Sequence, residues 1–585
     1  MNKLKTLSYL LLSISLAGCN GLGKMTKNYP QVKHEVTPNP LELHGDSVAV
    51  SIKGTYPPKY FAKKVDVTIT PVLKSSTAEH NFKSVTNVGE KSQTAGNKIN
   101  SKAGGSFTFS DKIVYTSDMK SADLMAKSTG TKGKTTKELG SVKIADGTVV
   151  TPLLVMSDEK TIVGKDNFQR ITPANFSGTI YYLVNTFNVN SNFKVKQCNF
   201  SNKTELTLID SALKALSVAP YSIKGISIMG YASPDGTESI NASLADNRSK
   251  SSAKYLASQI TNNLRKLTKT KLTVKPDSSM FSLSATNEDW AGFQQLMQES
   301  SLAQKDMILR IVSSNSDPEA REMEIKKMGK GFTEISEGIL PKLRRSAITV
   351  NGEKIGRPDE EISALAKSYP DSLSLEEILY AATLVSSPGE KLSIYQSAER
   401  IYPQDWRTSN NVGNILFMNG DLNGAMSAFT KADQLSSGNT IVKNNLGAIY
   451  SRKGDRKNAA LNYSSAAGAG PEVNQNKGIL DIRNGNYSSG VNNYSNTNSF
   501  NAALAKLLSG DKDGAMSTLD ASPDKDTAKG YYLKAIISAR KTDAAGVVAN
   551  LTKSIQKDAS MKLMASEDRE FIKWFNDASF KAVVQ

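Results

Sequence analysis

DWRTSNNVGNILFMNGDLNGAMSAFTKADQLSS (405–437) lies without a gap on NTIVKNNLGAIYSRKGDRKNAALNYSSAAGAGP (439–471). Gly413 falls on Gly447, Gly420 on Gly454, Asp421 on Asp455, Ala425 on Ala459, Phe429 on Tyr463 and Ala432 on Ala466, each pair 34 residues apart. A fixed period of that length marks a repeated supersecondary unit. The small residues let two antiparallel helices approach closely, and the aromatic at 429 or 463 fills the groove beside them.

This pattern resembles the tetratricopeptide repeat, with Pro471 closing the second copy. Weaker copies flank it. LSLEEILYAATLVSSPGEKLSIYQSAERIYPQ (373–404) precedes, with Tyr395 and Ala398 in place. A shortened copy begins at Gln475, and ALAKLLSGDKDGAMSTLDAS (503–522) and GYYLKAIISARKTDAAGVVANLTKSI (530–555) continue the series. The sequence therefore predicts an α-solenoid over 365–585. The resemblance implies a concave face for a peptide or protein partner and no chemistry of its own. The alternative is a helical stack that packs only against its own chain.

With 585 residues the chain exceeds one core, and three or four domains are expected. Residues 41–175 favour strands: SVAVSIKG and KKVDVTITPVL alternate, and GSFTFSDKIVYTS and GTVVTPLLVM follow. KSTGTKGKTTKELG (127–140) reads as a long hairpin loop, and the region as a β-sandwich. Residues 176–352 read as an α/β block. It has a strand pair at 177–190 and a helix with Leu206, Leu208, Ile209, Leu213 and Leu216 on its apolar side. After a strand at SIKGISIMGY comes a second helix, with Leu244, Ala253, Tyr255 and Leu256 as inward residues. Helices around 285–335 form an insertion, and RRSAITVN closes as a strand.

Within this block SIMGYASPDGTESINASLADNRSKSSAKYL (227–256) resembles the OmpA-like C-terminal domain, which grips peptidoglycan peptides. Gly230 and Tyr231 match the start of the family pattern, Gly236 its turn, and Asn241, Leu244 and Arg248 its later positions. Arg344 and Arg345 resemble its final Arg-Arg-Val strand. The resemblance implies a zwitterionic diaminopimelate end held by one Asp and one Arg. A guanidinium takes a carboxylate by two parallel hydrogen bonds. Here Ser233 stands where the family has its Asp, so the candidate peptidoglycan set is Arg248, Asn241, Ser233 and Asp235. The Ser-Pro-Asp-Gly form resembles Bacteroidetes members of the family.

The N-terminus, MNKLKTLSYLLLSISLAGCNGLGK, has a basic start, a short apolar run and then Leu-Ala-Gly-Cys. It resembles the lipobox of bacterial lipoproteins. That implies a signal peptide over 1–18, lipid on Cys19 and a lipidated tether over 19–40. Asn20 and a basic, acid-free NGLGKMTKNYP point to the outer membrane, facing the periplasm. Cys198 then has no intrachain disulfide partner and reads as a buried strand residue.

The formal charge is +17, from Lys+Arg 73 against Asp+Glu 56. It suits an anionic neighbour, yet no zinc-finger spacing or aromatic-rich basic motif points to nucleic acid. No catalytic triad, HExxH, Walker-type loop or metal cluster is legible, and no cofactor is expected. Glu360-Glu361 and Glu376-Glu377 are adjacent on helices and so point apart. Two readings stand. One is a non-catalytic outer-membrane scaffold that tethers the membrane to peptidoglycan and recruits protein partners through its repeats. The other is an accessory subunit of a β-barrel assembly or secretion machine, whose OmpA-like domain no longer binds the wall.

Overall fold

The computed structural model describes residues 20–195, 200–266 and 277–585, so Cys19 and Cys198 lie outside the described residues. The chain folds as two compact units. One holds the residues up to Lys165 together with Ser387–Gln585, and the other holds Asp166–Ser386. The protein is multidomain, sheet-rich towards its N-terminus and helical-repeat towards its C-terminus.

In the first unit two mainly antiparallel sheets enclose a shared core. Ser47–Tyr56 pairs with Lys33–Thr37, Leu43–His44 and Gly105–Val114. The other sheet runs Thr135–Asp146, Asp123–Lys132, Asp66–Lys74, Val85–Gly89, Asn97–Ile99. Alternation along Ser47–Tyr56 sends Val48, Val50, Ile52 and Tyr56 inward. They meet Val67, Ile69, Leu73, Leu124 and Leu139 from the facing sheet.

Three expectations are corrected here. Residues 20–40 are no tether: Asn20–Lys27 is a helix, and Lys33–Thr37 is a strand. Leu22, Met25 and Tyr29 are 1%, 1% and 2% exposed. Burying each such group is worth about 1.5–3 kcal/mol, which holds the segment to the sandwich. Residues 127–140 are no long loop but the end of a tight hairpin, Lys132 opposite Thr135, with Gly133 at φ 59° in the turn. Residues 147–156 form no strand; Thr151–Leu154 is a 3-10 turn, after which the chain enters the repeats.

The second unit carries a sheet ordered Phe176–Tyr181, Arg345–Ile355, Tyr221–Tyr231, Phe281–Thr286. Ile171–Pro173 pairs with the far end of Arg345–Ile355. Only the Tyr221–Tyr231 and Phe281–Thr286 pairing is parallel, Ile228 opposite Leu283. Helices Asn202–Leu216 and Glu238–Lys266 bury Ile209, Leu213, Leu256 and Ile260 against Ile226, Ile228, Ile348 and Val350. Gly230 is required by this packing, since a Cβ there would stand 2.0 Å from the Ala245 carbonyl oxygen. Leu208, expected inward, is 53% exposed. The fully buried line of the long helix is Asn241, Ala245, Arg248, Ser252, Leu256 and Ile260; of the expected inward residues Leu256 lies on it, Ala253 and Tyr255 pack half-buried against the same core, and Leu244 is half-buried outside that cluster. Strand 177–190 stops at Tyr181.

The repeats stack as helix pairs from Pro388 onward: Trp406–Met418 on Leu422–Leu435, Thr440–Arg452 on Arg456–Ser464, Glu472–Asn484 on Tyr487–Asn493, Phe500–Leu508 on Lys512–Asp520, and Ala528–Arg540 on Ala544–Lys557. Asp421, Asp455, Asp511 and Asp543 cap the second helices, each accepting a backbone N–H three residues on. Helices Asp359–Ser368 and Leu375–Ala381 belong to the other unit. Ala425, Ala432, Ala459, Ala466 and Phe429 are wholly buried. A Cβ on Gly413 would stand 2.8 Å from the Phe429 ring, and one on Gly447 2.5 Å from that of Tyr463. Gly447→Ala is therefore expected to destabilise this unit by about 1–2 kcal/mol in urea unfolding, overpacking outweighing the helix-propensity gain. A stabilised variant would contradict this packing account.

Candidate functional site

The repeats hold an irregular segment of their own chain. Residues 155–165 run along the first helices of successive pairs, and asparagines on those helices each bind the N–H and the C=O of one residue of the segment. Gly164 N donates to Asn411 Oδ1 at 2.7 Å, and Asn411 Nδ2 donates to Gly164 O at 2.9 Å. Asn445 does the same for Ile162, at 2.7 and 2.8 Å. Asn476 serves Lys160, at 2.7 and 2.8 Å, and Asn501 serves Met156, at 2.8 and 2.9 Å. A second tier, Asn410 and Asn444, adds donors to the Ile162 and Lys160 carbonyls and links neighbouring rungs. All six asparagines are 0–2% exposed. A carboxamide offers one acceptor and two donors, which matches a peptide group on an extended chain.

Charge fixes the register. The Glu159 side chain is fully buried, with Arg483 Nη1 at 2.6 Å, Ser451 Oγ donating at 2.8 Å, and Arg452 Nε at 3.9 Å. Arg483 also donates to Ser157 Oγ at 2.6 Å. Asp158 accepts from Gln475 at 3.0 Å and Asn501 at 2.8 Å. Burial raises its pKa, which Lys160 and the Gln475 hydrogen bond oppose. The groove reads backbone through asparagine and one acidic side chain through arginine.

Sequence reasoning passed over these asparagines. The signal was present: Asn410-Asn411 and Asn444-Asn445 occupy the same repeat positions, two residues before Gly413 and Gly447. Asn476 stands likewise before Gly478, and Asn501 before Ala503.

In the α/β unit the candidate wall-binding residues cluster at one end of strand Tyr221–Tyr231. Arg248 is 1% exposed. Its guanidinium donates to three backbone carbonyls: Tyr231 at 2.8 Å, Thr186 at 3.0 Å and Leu183 at 3.4 Å. It also lies 5.4 Å from the centre of the Tyr182 ring. Burial lowers its pKa to about 10, a fall that Tyr182 and Asp235 oppose and Arg344 reinforces. Asp235 accepts from Arg344 Nη2 at 2.8 Å and from the Ser233 hydroxyl, which itself accepts from Arg344 Nε at 3.1 Å. Asn241 donates to the Gly236 carbonyl and to Glu288, tying the loop down. Arg345 pairs with Asp289 at 2.8 Å over the Tyr231 ring.

A Ser, a His and an Asp also meet in the sandwich. Asp118 accepts from Thr116, from Ser75 at 3.1 Å, and faces His80 Nε2 at 2.6 Å. These bonds, Thr116 first, lower its pKa to about 2. The serine bonds the carboxylate, whereas activating a nucleophile requires the serine to bond the imidazole. Ser374 caps helix Leu375–Ala381, with Glu377 accepting the Ser374 N–H in return, and Glu377 pairs with Arg357 at 2.9 Å. Among the described residues no helix is long and apolar enough to cross a membrane, and no acid, His and Cys group is placed to hold a metal.

No protein-family model matches the chain, and no curated protein does. Among solved structures it is similar to a tetratricopeptide repeat protein from Parabacteroides merdae, at 14% identity over 39% of this chain and 91% of that one, TM-score 0.28. It is also similar to Pseudomonas aeruginosa pilF, at 13% identity over 39% and 98%, TM-score 0.27. A third similarity is to yeast Tom70, at 12% identity over 66% and 88%, TM-score 0.26. At these scores the likenesses carry no functional argument.

Proposed function

We propose that the protein is a non-catalytic scaffold, anchored by lipid on Cys19 to the periplasmic side of the outer membrane, and an accessory subunit docked on a larger outer-membrane assembly of the β-barrel insertion or secretion type. The observation that carries this reading over wall tethering is the engagement of Arg248. A ligand carboxylate needs a free guanidinium fork, and this one is buried with every arm on a backbone carbonyl. The filled groove points the same way. With residues 155–165 on the asparagines, a protein partner meets the sandwich and the outer faces of the repeats instead.

Peptidoglycan binding is the second reading, favoured by one observation. Asp235 reaches the Ser233 hydroxyl, so an anion stands beside the position at which the OmpA-like pattern has its Asp.

The acylated full-length protein, mixed with purified sacculi and centrifuged, is expected to stay in the supernatant, while cross-linking in intact cells joins it to a stoichiometric barrel protein. Pelleting with the wall that free diaminopimelate-containing muropeptide competes away would overturn the proposal in favour of the second reading.

A further inference from the structure

The sandwich folds from Asn20 onward, one residue after Cys19. Consecutive Cα atoms are only about 4 Å apart. If Cys19 carries lipid, as the proposed function holds, no spacer separates the bilayer from the folded body, and the surface around helix Asn20–Lys27 is set against the headgroups.

That surface is basic. Lys24 and Lys27 are exposed on the helix itself. A Cβ on Gly21 would stand 3.6 Å from the Ala62 Cβ, which puts the loop bearing Lys63 and Lys64 beside it. Leu22 packs on Gly130, where a Cβ would stand 2.9 Å from its methyl group and 3.0 Å from Leu139. That contact brings the hairpin end with Lys134 and Lys137 to the same place, Lys137 lying opposite Gly130. All six lysines are exposed. Among the described residues Lys63 has an ion pair, at 3.8 Å to Glu90. Asp66, on the adjoining strand, accepts from Thr94 at 2.6 Å, and Glu138 is the exposed carboxylate of the hairpin. Positive charge therefore predominates around the chain's point of emergence.

We propose that this pole of the sandwich is a docking face for anionic phospholipid headgroups, a second hold on the membrane that orients the body while the acyl chains retain it. Each Lys near an anionic surface is worth about 1 kcal/mol, and the attraction fades within about 10 Å at ordinary salt. Only a surface lying directly on the headgroups gains from it, which is the position the missing spacer imposes.

The test uses the chain from residue 19 carrying Cys19→Ser, which has no lipid, and vesicles of phosphatidylcholine alone or mixed with phosphatidylglycerol. It is expected to co-sediment with the mixed vesicles and not with phosphatidylcholine, and to be released by salt. Joint Lys63→Glu, Lys64→Glu, Lys134→Glu and Lys137→Glu substitution is expected to weaken binding by at least about tenfold, circular dichroism unchanged. Equal binding to both vesicles, or full binding by the four-fold variant, overturns the docking face. Mass spectrometry of the native protein separately tests lipid on Cys19. A lipid-free native protein would refute the anchor reading, while the vesicle result still decides the face.

Discussion

Arg483→Ala is expected to destabilise the sandwich–repeat unit by about 3–5 kcal/mol and to free residues 155–165 from the groove. The Glu159 side chain has no solvent access, and among the described residues its Oε2 has no hydrogen-bond partner. Its charge is held by Arg483 at 2.6 Å and the Ser451 hydroxyl, with Arg452 more distant at 3.9 Å. Deleting Arg483 strands an anion in a dry site, the costliest way to break an ion pair. Glu159→Gln is the informative contrast. It keeps the shape, and Arg483, whose side chain is 15% exposed, can turn to water. A cost of about 1–2 kcal/mol is expected. The two changes together should cost less than their sum, because they share one interaction. Asn445→Ala lies between, leaving the Ile162 N–H unmet and its C=O with Asn410 alone, at about 1–3 kcal/mol. Hydrogen exchange over 155–165, followed with urea unfolding, reads both effects. Wild-type protection in Arg483→Ala would mean that the segment is held without its charge lock.

The repeats were legible because their constraint is steric and periodic. Gly413 with Phe429 and Gly447 with Tyr463 state the same contact twice at the same spacing. The asparagines share that spacing but were lost, because a polar residue in a helix reads as exposed until its partner is known. That partner lies 247 residues away for Asn411 and 345 for Asn501. Nothing local in VMSDEKTIVGK (155–165) marks a segment whose hydrogen bonds go to side chains so remote. Leu22, Met25 and Tyr29 failed to announce a helix for a different reason. Their stripe covers about two turns, too short to stand out beside glycines and lysines. The Gly/Ser/Thr/Lys composition of 127–140 reads as loop, although its β-branched threonines suit the hairpin it forms. The candidate wall site was legible in part. Sequence placed Ser233, Asp235, Asn241 and Arg248 around one loop. It could not show that Leu183 and Thr186 would close over the guanidinium, because 177–190 read as a continuous strand pair.

That closure makes Arg248 the second site of large effect. Arg248→Ala is expected to destabilise the α/β unit by about 3–5 kcal/mol, whatever the wall does. The substitution removes a donor from three carbonyls, at 2.8, 3.0 and 3.4 Å, of which that of Leu183 keeps the N–H and hydroxyl of Thr186. It also opens a cavity beneath Tyr182 and withdraws the cation from that ring. Arg248→Lys keeps the charge but offers a compact ammonium in place of a planar fork, so it should recover only part of the loss. The native guanidinium carries a desolvation cost, visible as a pKa lowered to about 10, so the sign of its pH dependence is fixed. The unfolded chain binds the proton more tightly than the folded one. Stability from this group is therefore lowest below about pH 10 and rises as pH climbs towards the unfolded value. In Arg248→Ala that alkaline rise is absent. Loss of protection in strand Tyr221–Tyr231 and the 182–190 loop, by hydrogen exchange in the full-length variant, is the expected signature. A variant with native protection there, but altered behaviour towards sacculi, would return Arg248 to the role of a ligand-binding residue.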